Sequence, residues 1–259
     1  MKIKITFFFV FLWLFISFSS AQNDRQKFLG FEAGMNLIAC KMTNMDYIRG
    51  NVPSYTGYST NRISSMMYNE FIGIKPEVFL LNNRFGLSGG LRFMHINSSI
   101  GNNTYSSNST YYFYMLYRCD GINTEYLKVN GISQKSDYIG IPIEIRYFAN
   151  GPCLFRLYFK LGAEIEYLLQ SKTDVVFYDN AMEPYQKDVI AIVGKPNSFS
   201  SSLNGSMGFR IGRLSKPSVS LEICFASLFL TSKSSNLVNP IYGGGFQLNV
   251  QIPIKSKAK

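Results

Sequence analysis

The chain has 259 residues, of which 46% are apolar, 15% aromatic and 16% charged, and its formal net charge is +10. So many aromatic residues beside so few charges suit the aromatic girdles of a barrel better than a solvated enzyme surface. The positive balance alone would admit nucleic acid, but no stacking module accompanies it, so nucleic acid is not an expected partner.

Residues 1–21 read as a secretory signal peptide. Lys2 and Lys4 make the basic start, residues 5–18 an apolar run of fourteen, and Ser19, Ser20 and Ala21 the small residues before a cut. A spanning helix needs about twenty apolar residues, so the segment is expected to be removed, leaving 22–259 as one domain. No cysteine follows the cut, unlike a bacterial lipoprotein signal. Nothing after Gln22 is long and apolar enough for a spanning helix. A mature chain that lives in a membrane must then be a closed barrel, which leaves no strand edge unpaired in lipid.

Residues 28–38 open the pattern, with Leu29, Phe31, Ala33, Met35 and Leu37 on one face and Gly30, Glu32, Gly34 and Asn36 on the other. Residues 71–81 set Ile72, Ile74, Val78 and Leu80 against Gly73, Lys75 and Glu77, and Asn82-Asn83 supplies a tight hairpin. Residues 84–96 set Phe85, Leu87, Leu91 and Phe93 against Gly86, Ser88, Gly90 and Arg92. The interval 97–137, rich in tyrosine, serine and asparagine, reads as a surface loop.

The clearest alternation follows. In 138–148, Ile139, Ile141, Ile143, Ile145 and Tyr147 oppose Gly140, Pro142, Glu144 and Arg146; in 155–169, Leu157, Phe159, Leu161, Ala163, Ile165, Tyr167 and Leu169 oppose Arg156, Tyr158, Lys160, Gly162, Glu164 and Glu166. Asn150-Gly151-Pro152 joins the two as a hairpin. A second long interval, 171–201, leads to strands at 203–211 (Arg210 on the polar face), 219–228 (Glu222 on the polar face) and 245–254.

Eight strands result, joined alternately by long and short connections. This predicts an all-β, eight-stranded antiparallel up-and-down transmembrane β-barrel, with short periplasmic turns and long extracellular loops. A soluble two-sheet sandwich is the alternative, and it gives no reason for that alternation.

With apolar faces to lipid, the polar faces meet inside. Six acids (Glu32, Glu77, Glu144, Glu164, Glu166, Glu222) then face six bases (Lys75, Arg92, Arg146, Arg156, Lys160, Arg210). Buried charges demand partners, and an eight-stranded lumen is just wide enough for side chains to fill. The expectation is a structural ion-pair network rather than a water-filled conduit or a proton-handling cluster. The excess positive charge falls toward the periplasmic ends, at Arg25, Lys27, Arg84, Arg213, Lys216 and the tail Lys255, Lys257 and Lys259, where anionic lipid headgroups would receive it.

Of four cysteines, Cys40 and Cys119 fall at the loop end and are the pair placed to bridge; Cys153 sits in a turn and Cys224 in a strand. No CxxC or Cys/His ligand spacing exists, so no metal or other cofactor is expected. The single histidine, His95, falls outward near the loop end of its strand, where an outer-membrane lipid A deacylase would carry a catalytic histidine with serine two residues on. Asn97 stands at that position, so no catalytic residue is assigned.

The segments YIGIPIEIRYF…GPCLFRLYFKLGAEIEYLL, FGLSGGLRF before them, and LNGSMGFRIGR and GGGFQLNVQIPI after them resemble the outer-membrane β-barrel domain of the Bacteroidota, the PorT-like "porin family" group. The resemblance implies an exported, non-enzymatic outer-membrane barrel with a structural or interaction role at the cell envelope, and for some relatives a part in protein secretion. Expected partners are outer-membrane lipids and lipopolysaccharide, with envelope or secretion-system proteins at the loops, and the expected state is a monomer. A membrane-embedded lipid hydrolase and a small-solute pore are the competing readings.

Overall fold

The computed structural model describes residues 26–43, 47–50, 63–101, 112–119, 124–151, 153–231 and 234–254. The signal segment 1–21, Arg25 and the tail lysines lie outside them. The strands are β1 (Lys27–Met42), β2 (Ile48–Gly50), β3 (Ser64–Leu80), β4 (Phe85–Gly89), β5 (Leu91–Gly101), β6 (Phe113–Cys119), β7 (Thr124–Phe148), β8 (Phe155–Phe177), β9 (Phe199–Ile211), β10 (Ser218–Phe229) and β11 (Val238–Ile254). A short 3-10 helix (Asn180–Tyr185) and helix α1 (Gln186–Val193) separate β8 from β9.

Every pairing is antiparallel. The order β1, β3, β4 with β5, β7, β8, β9, β10, β11 returns to β1, where Lys27 pairs with Ile254 and Met42 with Val238. The described strands therefore close an eight-stranded up-and-down barrel of the transmembrane kind. The connections at 81–84, between β7 and β8, and at 212–217 are short and lie at one end together with both ends of the described chain; this is the turn end, and the opposite one is the loop end. Leu81, Asn82 and Asn83 all take positive φ (46°, 54° and 63°), so three successive residues turn the chain sharply between β3 and β4.

Beside the turn end the barrel's outer face is an apolar belt. On β8 Phe155, Leu157, Phe159, Leu161, Ile165, Tyr167 and Leu169 are exposed, and on β7 Ile139, Ile143, Ile145 and Tyr147. Each such side chain left in water forgoes roughly 1.5–3 kcal/mol, so the belt is a surface for lipid. About nine residues of a tilted strand cross a bilayer, which matches 139–147 on β7.

The sequence reading needs three corrections. The interval 97–137 is not all loop: β5 runs to Gly101, β6 crosses it, and β7 begins at Thr124. Likewise β8 continues to Phe177 and β9 starts at Phe199, so helices and strand ends occupy much of 171–201. The third strand is broken at Gly90, where a Cβ would lie 2.1 Å from the Ile74 carbonyl oxygen and 2.7 Å from Lys75 Cα. Only glycine lets β3 approach that closely.

The Cys40–Cys119 pair falls partly on residues outside those described. Cys40 is a free thiol. Its strand pairs with β11 and β3, whereas Cys119 pairs through its backbone with Thr124 of β7. The side chain of Cys119 lies outside the described residues.

Candidate functional site: a sealed lumen and an ordered loop end

The lumen is filled in three layers. At the turn end Phe28, Phe79, Phe148 and Tyr158 pack together, with Phe79 and Phe148 rings 5.2 Å apart. Arg156 stacks 3.8 Å above Phe148 and Arg210 4.2 Å above Phe28. Both guanidiniums thus sit against ring faces, which attract cations, and Arg156 also donates to the Asn83 carbonyl.

Above this floor lies the ion-pair network. All twelve charged residues placed in the lumen from the sequence are buried, none more than 5% exposed. Glu144 is its centre, with Lys75 at 2.5 Å, Arg92 at 3.2 Å, Lys160 at 3.3 Å and Arg146 at 3.4 Å. Glu32 takes Lys75 at 2.6 Å and Arg92 at 2.8 Å; Glu222 takes Lys160 at 2.5 Å and Arg146 at 2.9 Å; Glu77 takes Arg146 at 3.0 Å and Arg210 at 3.1 Å. Glu164 pairs with Arg92. Glu166 and Arg156 are brought into the lumen but into no ion pair recorded among the described residues. Gln247 and Asn249 from β11 donate to Glu32 (2.6 Å) and Glu222 (2.7 Å). Their alternation with Leu248 and Val250 put them on the polar face, but an uncharged amide gave no sign of a place in a charge network.

The third layer is apolar. Ile38, Met67, Phe71, Met94, Ile96 and Ile100 join Ile132, Tyr138, Leu237 and Val238 in one core at the loop end, which also takes in Val189 and Val193 of α1. Segment 234–237 is pinned across the barrel mouth. Its Asn236 donates to the Val193 and Lys195 carbonyls (2.9 and 2.8 Å), its Ser235 shares a hydrogen bond with Ser98 (2.7 Å), and Tyr138 donates to the Ser234 carbonyl (3.3 Å). Between network and cap remains a space of about 20 Å3 for a water-sized sphere, lined in part by Asn36, Asn69, Glu164, Glu166 and Asn204. That volume holds about one water molecule.

On the outside, His95 Nδ1 lies 2.6 Å from Asp137 Oδ1, just beyond the belt. Burial pushes the Asp137 carboxyl up, but hydrogen bonds from Gln170 and His95 outweigh it and hold the group below its ordinary 3.8. Asn97 donates to the Tyr68 hydroxyl at 2.9 Å, and no hydroxyl contact to His95 is recorded among the described residues. Farther out, from the residue before β6 across β6 and β7 to the residue after β8, a ladder of tyrosines covers the wall. Tyr112 and Tyr178 have ring centroids 4.7 Å apart, Tyr112 and Tyr114 5.3 Å, Tyr114 and Tyr126 6.1 Å. Lys128 Nζ sits 5.0 Å from the Tyr112 centroid and 5.7 Å from that of Tyr178. Tyr112, Tyr114 and Tyr126 belong to the tyrosine-rich interval 97–137 of the sequence, and they align with Tyr178 only because β7 and β8 run farther than the alternation alone indicates.

No family model and no curated protein matches the sequence. Among solved structures the chain is similar to Ail, the attachment invasion locus protein of Yersinia pestis, in complex with the heparin analogue sucrose octasulfate (11% identity, TM-score 0.36, 88% of this chain and 99% of that one). It is also similar to the outer membrane protein OprG of Pseudomonas aeruginosa (10% identity, TM-score 0.41, 88% and 96%). At such values the eight-stranded ring rests on the strand pairing itself rather than on the likeness.

Proposed function

We propose that the chain is a non-enzymatic outer-membrane barrel whose loop end stands outside the cell as a binding surface for envelope polysaccharide. One observation carries the reading: the wall continues past the apolar belt as ordered sheet around its own core, and there displays the tyrosine ladder beside Lys128. Tyrosine gives large contact area with few rotatable bonds and a polar rim, which suits the alternating C–H and hydroxyl faces of sugars. Location in the outer membrane is supported by the belt, since a bilayer core accepts only helices or closed barrels. Lipids, lipopolysaccharide among them, would meet that belt, and a monomer suffices to close it.

A pore is disfavoured by the three filled layers. A lipid hydrolase is disfavoured because Asn97, held by Tyr68, stands where a serine would be needed. PorT-like membership and a tie to secretion rest on the sequence resemblance alone. The test is binding of polysaccharide from the producing cell's envelope to the purified barrel in detergent. Tyr178→Ala and Tyr126→Ala are each expected to weaken binding about tenfold, in line with about 1–3 kcal/mol per stacked ring. Absence of binding by the native barrel, or conductance steps in planar bilayers, would overturn the reading.

A further inference from the structure

We propose that the chamber beneath the cap binds one monovalent cation of sodium size between the carboxylates of Glu164 and Glu166. Glu164 is 2% and Glu166 1% exposed, and both line the chamber. Glu164 Oε1 and Glu166 Oε2 are buried without any hydrogen-bond partner, although the other oxygen of Glu164 takes Arg92 and that of Glu166 a hydrogen bond from Ser200. A buried anionic oxygen left unmatched is among the costliest groups a protein can hold.

The need for a cation follows from how the network's charge is distributed. Toward the cap stand Glu32, Glu144, Glu164, Glu166 and Glu222 with Lys75, Arg92, Arg146 and Lys160, while toward the floor stand Glu77 with Arg156 and Arg210. The lumen is neutral overall but polarised, one negative charge in excess at the cap side and one positive at the floor. The floor's excess is met by ring faces and the Asn83 carbonyl. Glu166 has a hydrogen bond from Ser200 and the more distant charge of Arg92, but no ion pair recorded among the described residues.

Ten residues of extended strand separate Arg156 from Glu166, about 33 Å, so the two cannot neutralise each other. One missing unit of charge calls for a monovalent ion. The lining also carries Arg92, Lys160 and several apolar side chains, but beside the two carboxylates it offers the amides of Asn36 and Asn204 and the hydroxyl of Ser202, the hard-oxygen donor type that alkali and alkaline-earth ions prefer. The space is of one-water size.

The experiment is equilibrium unfolding in urea, in detergent, followed by circular dichroism, with sodium chloride against N-methyl-D-glucamine chloride at equal ionic strength. The native barrel is expected to be stabilised by sodium, its unfolding equilibrium constant falling about tenfold when sodium reaches about ten times its dissociation constant. Glu166→Gln removes the excess charge and is expected to unfold identically in both salts. Crystals grown with thallium(I) supply a second measure, with an anomalous peak between Glu164 and Glu166 expected in the native protein. Identical unfolding of the native barrel in both salts with no thallium peak overturns the proposal and leaves a proton as the neutralising charge; so does a Glu166→Gln barrel that keeps the full sodium response.

Discussion

Within the single strand β7, Ile139, Ile143, Ile145 and Tyr147 face outward while Glu144 and Arg146 are buried; twelve residues nearer the loop end, Leu127, Val129 and Ile132 are buried while Tyr126 and Lys135 are exposed. The other long strands repeat the inversion. On β3 Lys75 and Glu77 turn inward at the belt, and Met67 and Phe71 turn inward above it; on β5 Arg92 gives way to Ile96 and Ile100. One barrel is thus built inside out at one end and right way round at the other. The surroundings decide which: in lipid the interior can be polar because the exterior must not be, and in water the usual apolar core returns. The two halves differ in what holds them, charge pairing in one and burial of apolar area in the other.

That difference can be broken from either side. Glu144→Ala strips a shared partner from four buried cations and is expected to cost about 3–5 kcal/mol, read as a lower urea midpoint for the whole barrel. Ile132→Ala opens a cavity in the loop-end core and should cost about 2–5 kcal/mol, read first as protease sensitivity of the loop end while the belt-level barrel keeps its heat-modifiable gel mobility. Ile145→Ala at the belt leaves no internal void, since lipid fills the space, and should change stability by less than about half as much as Ile132→Ala.

The smallest effect is electrostatic. Asp137 is held below its ordinary value in the folded chain. Its unfolded form therefore binds protons first as the pH falls, so its stabilisation is complete above about pH 4 and disappears as the pH drops through the depressed folded value. The loss should be under about 1 kcal/mol, as for screened pairs, and Asp137→Asn should abolish that part of the acid dependence of the urea midpoint.

The belt-level strands were legible because full charges alternate with large apolar residues there. Ile143-Glu144-Ile145-Arg146-Tyr147 admits one reading. The loop-end strands keep the same period of two, but Ile132, Gln134 and Ser136 share the inner face of β7, so burial there is not marked by hydropathy. On β8 the register passes from Tyr138↔Leu168 to Asp137↔Gln170 and leaves Leu169 as an extra residue. Past it the buried positions move from even numbers (Glu164, Glu166) to odd (Thr173, Phe177), and an alternation counted from Arg156 runs out of phase. The lumen's twelve charges could be placed from parity alone. Their individual partners could not, because which cation reaches Glu144 depends on strand stagger around a closed ring.

One feature of the wall bears on how the molecule takes load. β7 and β8 are paired from Val129 with Phe177 to Phe148 with Tyr158, a ladder from cap to turn interrupted only by register shifts at Val129/Gly131 and Asp137/Tyr138. Its hydrogen bonds run perpendicular to the strands. A tug on the cap along the barrel axis therefore strains all the rungs sideways together instead of peeling them apart in succession, so a ligand seized by the tyrosines should let go well before the hairpin does.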